Sequence, residues 1–117
     1  VRYSYQDGYR ATKALVASGR EFTALFASAD VMAIGAIRAL RESGRRVPED
    51  VSVIGMDGLP IGEYLVPQLT TVGQSVSTMA QRSVEILLQA MEDGKKAQHE
   101  TIPFRIYRRE SVRELTD

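Results

Sequence analysis

The sequence predicts an α/β fold with a mostly parallel, Rossmann-like sheet and helices on both faces. Two observations lead to this fold class. Along the 117 residues the hydrophobic period switches repeatedly between helical and strand spacing, and the strands are short, continuous apolar runs. Continuously apolar strands are typical of parallel sheets that are covered on both faces. In such open sheets, ligands bind in the crevice beyond the carboxyl ends of the strands.

The first half of the chain predicts two helices around one strand. Apolar residues recur at helical spacing from Gln6 to Ser18, and Gly19 is a usual helix stop. The apolar run from Phe22 to Ser28 is too short for a helix and is read as a buried strand. Asp30 is a good N-cap, and "VMAIGAIRALRES" then runs helical to Gly44.

The second half predicts three more strands and one long helix. "VSVIGM", Val51 to Met56, is a buried strand followed by an Asp-Gly turn, and "LPIGEYLVP" holds at most a short helical turn. Leu69 to Gln74 is the next strand, and a helix capped by Ser75 or Ser77 ends before Gly94. The alternation in "ETIPFRIYRRES" indicates a half-exposed or edge strand, with its arginines on a solvated face.

Composition excludes several classes of function. The 15 basic and 15 acidic residues give no net charge, so this piece lacks the positive field that binding to nucleic acid requires. The absence of cysteine excludes disulfides, thiolate catalysis and Cys-ligated metals. No apolar run is long enough to span a membrane and no signal peptide opens the chain, so we expect a soluble protein; the start without Met indicates a fragment or a processed chain.

No pattern supports catalysis or a cofactor. His99, the only histidine, lies in the polar "KKAQHE" loop without a Ser or Cys partner at a recognisable spacing. Asp57, Asp30 and Glu63 lack the spacing of a calcium loop, and "GMDGLPIG" matches no nucleotide-binding motif. The sequence therefore predicts no catalytic residue, no metal site and no cofactor.

Polar residues follow two of the predicted strands. Asp57 ends the Val51–Met56 strand, where its carboxylate can accept hydrogen bonds from ligand hydroxyl groups. The alternative is turn chemistry, since an Asp side chain before Gly readily bonds its own backbone. Ser28, Ala29 and Asp30 follow the preceding strand, and we expect Asp30 to cap its helix rather than to bind a ligand.

Several motifs together resemble one family. "ALFASADVMAIGAIRALRESGRRVPEDVSVIGMDG", then "PQLTTVGQ" and finally "IYRRES" are similar to the C-terminal part of the effector-binding core of LacI/GalR transcription regulators. The resemblance implies a type I periplasmic-binding-protein-like fold, in which two α/β lobes enclose a small effector. Residues 1–74 would then form the C-terminal lobe, residues 75–103 a crossover helix and connection that packs on an N-terminal lobe, and residues 104–117 the return strand and tail.

The family also implies a function for the chain. It would be the effector-sensing and dimerisation portion of a bacterial, cytoplasmic repressor that binds a sugar or related metabolite. Operator DNA would be bound through an N-terminal domain that precedes this sequence. The alternative is a periplasmic sugar-binding protein of an ABC transporter, which shares the fold but carries a secretory signal.

Matching positions imply an effector site. Asp57 corresponds to an acidic residue that accepts hydrogen bonds from the effector, and Tyr3 to an aromatic residue that packs on its ring, with a core aromatic as the alternative for Tyr3. Gln74 lies at the crossover, where a ligand contact and a hinge hydrogen bond are equally open. Ala29 stands where sugar-binding relatives often carry an amide, and Ser28 precedes it.

The helix after Asp30 predicts a second surface. Its core stripe is joined by a further apolar face that begins at Val31 and Ile34, beside Arg38. This second face indicates either a helix that is sandwiched inside its own domain or a subunit interface. By resemblance to the family we predict a homodimer patch formed by Ile34, Arg38 and Leu65.

A chain with one lobe has only part of the effector cleft. We therefore predict weak or absent effector affinity for these 117 residues alone, because a ligand held by both lobes would lose half its partners. The long helix would also leave its apolar stripe exposed, so that Met79, Val84 and Leu87 can associate with another chain.

Overall fold

The structure of the chain, a computed structural model, describes residues 2–94 and 98–116. Residues 95–97 of the predicted "KKAQHE" loop lie outside this range. The chain divides into two compact units, one made of the residues up to Gly73 together with those from Ile106 onward, and one spanning Gln74–Arg105. The elements are α1 (Tyr5–Ala17), β1 (Ala24–Phe26), α2 (Asp30–Glu42), β2 (Ser52–Met56), a 3-10 turn (Pro60–Tyr64), β3 (Thr70–Gln74), α3 (Val76–Asp93) and β4 (Phe104–Tyr107).

The strands form one sheet in the order β1-β2-β3-β4. Strand β2 pairs in parallel with β1 and with β3, and Ile54 stands opposite both Phe26 and Thr70. The predicted fold class, an α/β chain with a mostly parallel open sheet, is therefore confirmed. The parallel arrangement brings the carboxyl ends of β1, β2 and β3 to the same side of the sheet.

Local sequence signals set the helix ends. Ser4 is the N-cap of α1, where its hydroxyl accepts from the Asp7 amide at 3.1 Å and donates to the Asp7 carboxylate at 2.9 Å. Ser75 caps α3 by accepting from the Thr78 amide at 3.2 Å. At its other end, Gly94 adopts the left-handed conformation that stops a helix, with a φ of 61°.

The predicted cap of α2 is wrong. The N-cap residue is Ala29, which makes no side-chain capping bond, and Asp30 lies inside the first turn. The side chain of Asp30 is completely buried and bonds to groups outside its own helix instead. To cap α2, this carboxylate would have to accept hydrogen bonds from the free amides in the first turn of the helix. It instead accepts from the Leu59 amide and the Thr71 hydroxyl.

The core of the first unit lies between α2 and the sheet. Ala33, Leu40, Val53 and Leu69 have no exposed surface there. Helix α1 packs closely on α2, because Gly8 and Gly35 leave room for the backbone of the other helix: a Cβ on Gly8 would clash with the Met32 carbonyl, and one on Gly35 with the Tyr5 carbonyl. Helix α2 is therefore covered by α1 as well as by the sheet.

The segment after β4 belongs to the core rather than to a solvated strand face. Ser111 is completely buried, donates to the Val53 carbonyl at 2.5 Å and accepts from the Thr70 amide at 2.8 Å. The side chain of Arg109 is only 10% exposed, and it donates to the Leu69 carbonyl at 3.1 Å. The sequence prediction of a solvated arginine face is thus wrong for Arg109.

Candidate functional site

Asp57 lies directly after β2 and is exposed. Its amide donates to the Val72 carbonyl at 2.7 Å, which continues the pairing of β2 with β3 by one residue. Within the described ranges no group donates to its carboxylate, and the side chain makes no bond to its own backbone. The side chain therefore makes no bond of the Asx-turn type among the described residues, although Asp57 and Gly58 do form the turn after β2. A ligand contact by the Asp57 carboxylate stays a prediction.

The backbone of Asp57 is strained. Its φ is 122°, in a region that residues other than glycine rarely adopt. Such a conformation costs about 1–3 kcal/mol and persists only where the surrounding structure enforces it, most often at functional sites. Gly58 follows with a φ of 70°, so the turn leaves the sheet through two consecutive residues of positive φ.

The surrounding structure holds this turn closely. Strand β3 approaches the turn through Gly73, where an added Cβ would lie 2.5 Å from the Asp57 carbonyl oxygen. The Gly58 amide donates to the Thr71 hydroxyl at 3.2 Å. The Leu59 amide donates to the buried carboxylate of Asp30 at 2.7 Å, so backbone groups on the far side of Asp57 are fixed by side chains from β3 and α2.

The candidate effector residues that follow β1, Ser28 and Ala29, differ in how much of their side chains is exposed to a ligand. Ser28 is exposed, and its hydroxyl contacts the sulfur of Met32 at 3.7 Å. Ala29 is only 5% exposed, so its methyl group presents almost no surface to a ligand. Phe26, the last residue of β1, is 60% exposed, and the sequence interpretation missed it because continuous apolar strands are expected to be buried.

Tyr3 and Gln74 lie in different units. Tyr3 precedes α1 and is 68% exposed, so it is not the core aromatic that was the alternative. Gln74 opens the second unit, where its side-chain amide donates to the Ile102 carbonyl at 2.6 Å. This bond lies within the second unit, and both roles of Gln74, the effector contact and the hinge hydrogen bond, stay predictions.

The predicted dimer residues are not equally exposed. Ile34 is partly buried beside α1, and Arg38 is exposed and forms an ion pair with Glu42 at 3.4 Å. Leu65 packs against the core, whereas its neighbours Tyr64 and Val66 are 82% and 76% exposed. An interface at this segment would therefore use Tyr64 and Val66 as its apolar surface.

A cavity of about 670 Å³ adjoins this segment, because Val66 forms part of its lining together with several charged residues. Its lining includes Arg41, Arg46, Pro48, Pro67 and Glu110, and none of the predicted effector residues. Two of its charged side chains have partners: Arg46 forms an ion pair with the carboxylate of Asp50 at 3.0 Å, and Glu110 accepts from the Gln68 amide at 3.0 Å. Because none of the predicted effector residues lines this cavity, we take Asp57 and not the cavity as the candidate site.

Across the described part of the chain, no three His, Cys, Asp or Glu side chains group in a way that could hold a metal ion. Among the helices in those same residues, none combines the length and the apolar character needed to cross a bilayer.

The chain is similar to known proteins over almost its whole length. Residues 2–112 match the family described as periplasmic binding protein-like domain. The ribose operon repressor of Halalkalibacterium halodurans is 34% identical over 114 residues, which are 97% of this chain and 34% of the repressor. The chain therefore spans about a third of the length of this curated relative.

Solved structures show the same fold. A LacI family transcriptional regulator from Enterococcus faecium with bound ribose superposes with a TM-score of 0.90 at 34% identity, over 98% of this chain and 42% of the regulator. A Lac repressor dimer bound to operator and the anti-inducer ONPF gives a TM-score of 0.89 at 33% identity, over 94% of this chain and 38% of the repressor. The chain belongs to the periplasmic binding protein-like domain family, and over most of its length it is similar to LacI family transcriptional regulators.

Proposed function

We propose that this chain is the effector-sensing and dimerisation portion of a LacI-type repressor that acts in the bacterial cytoplasm. The observation that carries the proposal is the carboxylate of Asp57. It stands exposed at the carboxyl end of a parallel strand, on a strained backbone, and without a hydrogen-bond donor among the described residues.

The chemistry of the site fits a small polyol. An ionised carboxylate only accepts hydrogen bonds, and its two oxygens can hold the two hydroxyls of a vicinal diol. The exposed ring of Tyr3 offers the apolar face that the C–H side of a sugar prefers, and Ser28 offers an exposed hydroxyl. Ala29 would shape the site without a polar side-chain contact, and Gln74 is proposed as a further contact at the crossover. We therefore propose a carbohydrate or a related metabolite as the effector.

The proposed mechanism is a population shift. An effector that contacts two lobes stabilises one relative orientation of them, and it changes the affinity for DNA only by its differential affinity for the two orientations. A factor of 10 in DNA affinity requires about 1.4 kcal/mol of such coupling. The chain itself has no net charge, so contact with operator DNA is assigned to an N-terminal domain outside this sequence.

The relatives favour a repressor over the periplasmic sugar-binding protein. The ribose operon repressor and the two solved regulators are transcriptional regulators, and none is a transporter component. Their class also supports a role without catalysis and a place in the cytoplasm. Residues 1–74 are proposed as one lobe, with residues 75–103 crossing onto a second lobe and residues 104–117 returning to the first.

A homodimer is part of the proposal. The Lac repressor structure that this chain resembles is a dimer. Arg38 and Ile34 on α2, with Leu65 and its exposed neighbours Tyr64 and Val66, would form the patch. Apolar and aromatic side chains beside an Arg are typical of the centre of such interfaces.

The proposal is tested by a thermal-shift screen of the full-length protein against D-ribose, lactose, maltose and hypoxanthine. A sugar at 100 times its Kd stabilises the folded protein by about 2.7 kcal/mol, which raises Tm by several degrees. The matched control is Asp57→Asn, which keeps the size of the side chain and removes the acceptor-only charge.

We expect at least one sugar to raise the Tm of the wild-type protein and to raise that of Asp57→Asn by about half as much or less, because a tenfold loss of affinity lowers the stabilisation to about 1.4 kcal/mol. A shift of equal size in both proteins would place the effector away from Asp57. The absence of a shift with every sugar, together with a shift by hypoxanthine, would reject a carbohydrate effector.

A further inference from the structure

Asp30 is a completely buried carboxylate that the effector site described above does not use directly. Burial of a carboxylate is costly unless hydrogen bonds replace its lost water. Here one oxygen accepts from the Thr71 hydroxyl at 2.6 Å and the other from the Leu59 amide at 2.7 Å. Its place in the first turn of α2 adds the favourable field of a helix N-terminus.

The two donors come from both sides of the Asp57 turn. Leu59 lies two residues after Asp57 in the turn itself, and Thr71 lies on the neighbouring strand β3. The same Thr71 hydroxyl accepts from the Gly58 amide at 3.2 Å. Asp30 and Thr71 together therefore hold two consecutive backbone amides, those of Gly58 and Leu59.

Two glycines make room for the Asp30 carboxylate and for the Asp57 turn. Gly55 on β2 faces Asp30, where a Cβ would clash with the nearer carboxylate oxygen. Gly73 on β3 faces the backbone of Asp57, where an added Cβ would lie 2.6 Å from its carbonyl carbon. The Asp30 carboxylate therefore fits because residue 55 has no side chain, and the backbone of Asp57 fits because residue 73 has none.

We propose that Asp30 and Thr71 are positioning residues that hold the turn after β2 and so keep Asp57 in its strained conformation, with its carboxylate directed away from the backbone as an acceptor. The inference rests on the proposed function for its consequence on affinity, but the restraint on the turn is independent of any ligand. A hydrogen bond to a charged group is worth about 1.5–3 kcal/mol, which is enough to balance the cost of the strained backbone.

The variant that tests the restraint is Thr71→Val in the full-length protein, since Val keeps the shape of Thr and removes the hydroxyl. The matched control is Thr70→Val on the same strand. Thr70 is also buried, at 5% exposure, and its hydroxyl accepts from the Arg109 amide at 3.0 Å, so it loses a buried hydrogen bond without a link to the turn. Thr71→Ser, which restores the hydroxyl, serves as the conservative rescue.

Hydrogen exchange of the peptide that contains Gly58 and Leu59 is the first measurement. We expect Thr71→Val to exchange these amides about tenfold faster than the wild type, and Thr70→Val and Thr71→Ser to exchange them at the wild-type rate. Equal exchange in Thr71→Val and the wild type, or equal acceleration in Thr70→Val, would overturn the proposal.

Calorimetric titration with D-ribose is the second measurement, because a merely structural role would not couple to Asp57. We expect Thr71→Val to weaken the binding of D-ribose about tenfold in the wild-type background and to have no further effect in an Asp57→Asn background. Equal losses in the two backgrounds would show that Thr71 acts independently of Asp57 and would overturn the positioning role. If the wild type binds no D-ribose and no other sugar, the proposed function fails, and the exchange rates alone decide whether the turn is held.

Discussion

Replacement of Asp57 by Gly separates the two properties that meet at this residue, a strained backbone and a free carboxylate. Asp57 has a φ of 122°, which glycine adopts without a steric penalty. The carboxylate itself accepts no hydrogen bond within the described residues. Asp57→Gly should therefore stabilise the fold while it removes the proposed effector contact.

The expected gain follows from two opposing contributions. Relief of the strained conformation contributes about 1–3 kcal/mol to stability. Glycine loses more conformational freedom on folding than other residues, which costs about 0.5–1 kcal/mol. The net gain is about 1 kcal/mol, which corresponds to a rise in Tm of about 2–4 °C for a domain of 150–250 residues.

Scanning calorimetry of the full-length wild type, Asp57→Gly and Asp57→Asn measures this gain. Asn keeps the strained backbone and removes the charge, so its Tm should stay within about 1 °C of the wild type. Destabilisation by Asp57→Gly would show that the turn carries no strain. An equal rise in Tm for Asn and Gly would assign the gain to loss of the charge. Either result would show that relief of backbone strain at Asp57 does not stabilise the fold.

Three further predictions concern the rest of the chain. Ser111→Ala leaves the buried Thr70 amide without its acceptor and should cost about 1–3 kcal/mol, seen as a lower midpoint in urea, whereas an unchanged midpoint would contradict the structural role of the tail. Hydrogen bonds from the side chain and the backbone amide of Arg46 lower the pKa of Asp50 from its ordinary 3.8 to about 2, so the pair stabilises the fold above about pH 4 and loses this effect as the pH falls towards 2. In Arg46→Gln, which keeps the backbone amide, an NMR titration should show the midpoint of Asp50 moving up towards its ordinary value, and an unchanged midpoint would contradict the role of the guanidinium. Ile34→Asp should weaken the proposed homodimer in sedimentation experiments, and an unchanged dimer would move the interface elsewhere.

The order of elements could be predicted from the sequence because the apolar period and the caps are local signals. The helix stop at Gly19 and the cap at Ser75 lie where the sequence predicts them. Strand β1 is shorter than predicted, since Phe22 and Ser28 lie outside its hydrogen-bonded part. Its end also exposes Phe26, and burial of a strand residue depends on neighbours that periodicity does not reveal.

Long-range partners explain what could not be predicted. Asp30 before an apolar helix has the pattern of a local cap, but its actual partners lie 29 and 41 residues away in the sequence. Arg109 and Ser111 likewise look like part of a solvated strand until the structure places them against Leu69 and Val53. The candidate role of Asp57 came from its position at a strand end together with a family resemblance, whereas its positive φ became visible only in the fold.

Asp57 is proposed to anchor a small-molecule effector. Titration calorimetry of the full-length wild type and Asp57→Asn with the sugar that gives the largest thermal shift tests it most directly. We expect one site per chain in the wild type and an affinity at least tenfold lower in Asp57→Asn, which is a loss of about 1.4 kcal/mol or more. Equal affinity of the two proteins would contradict it.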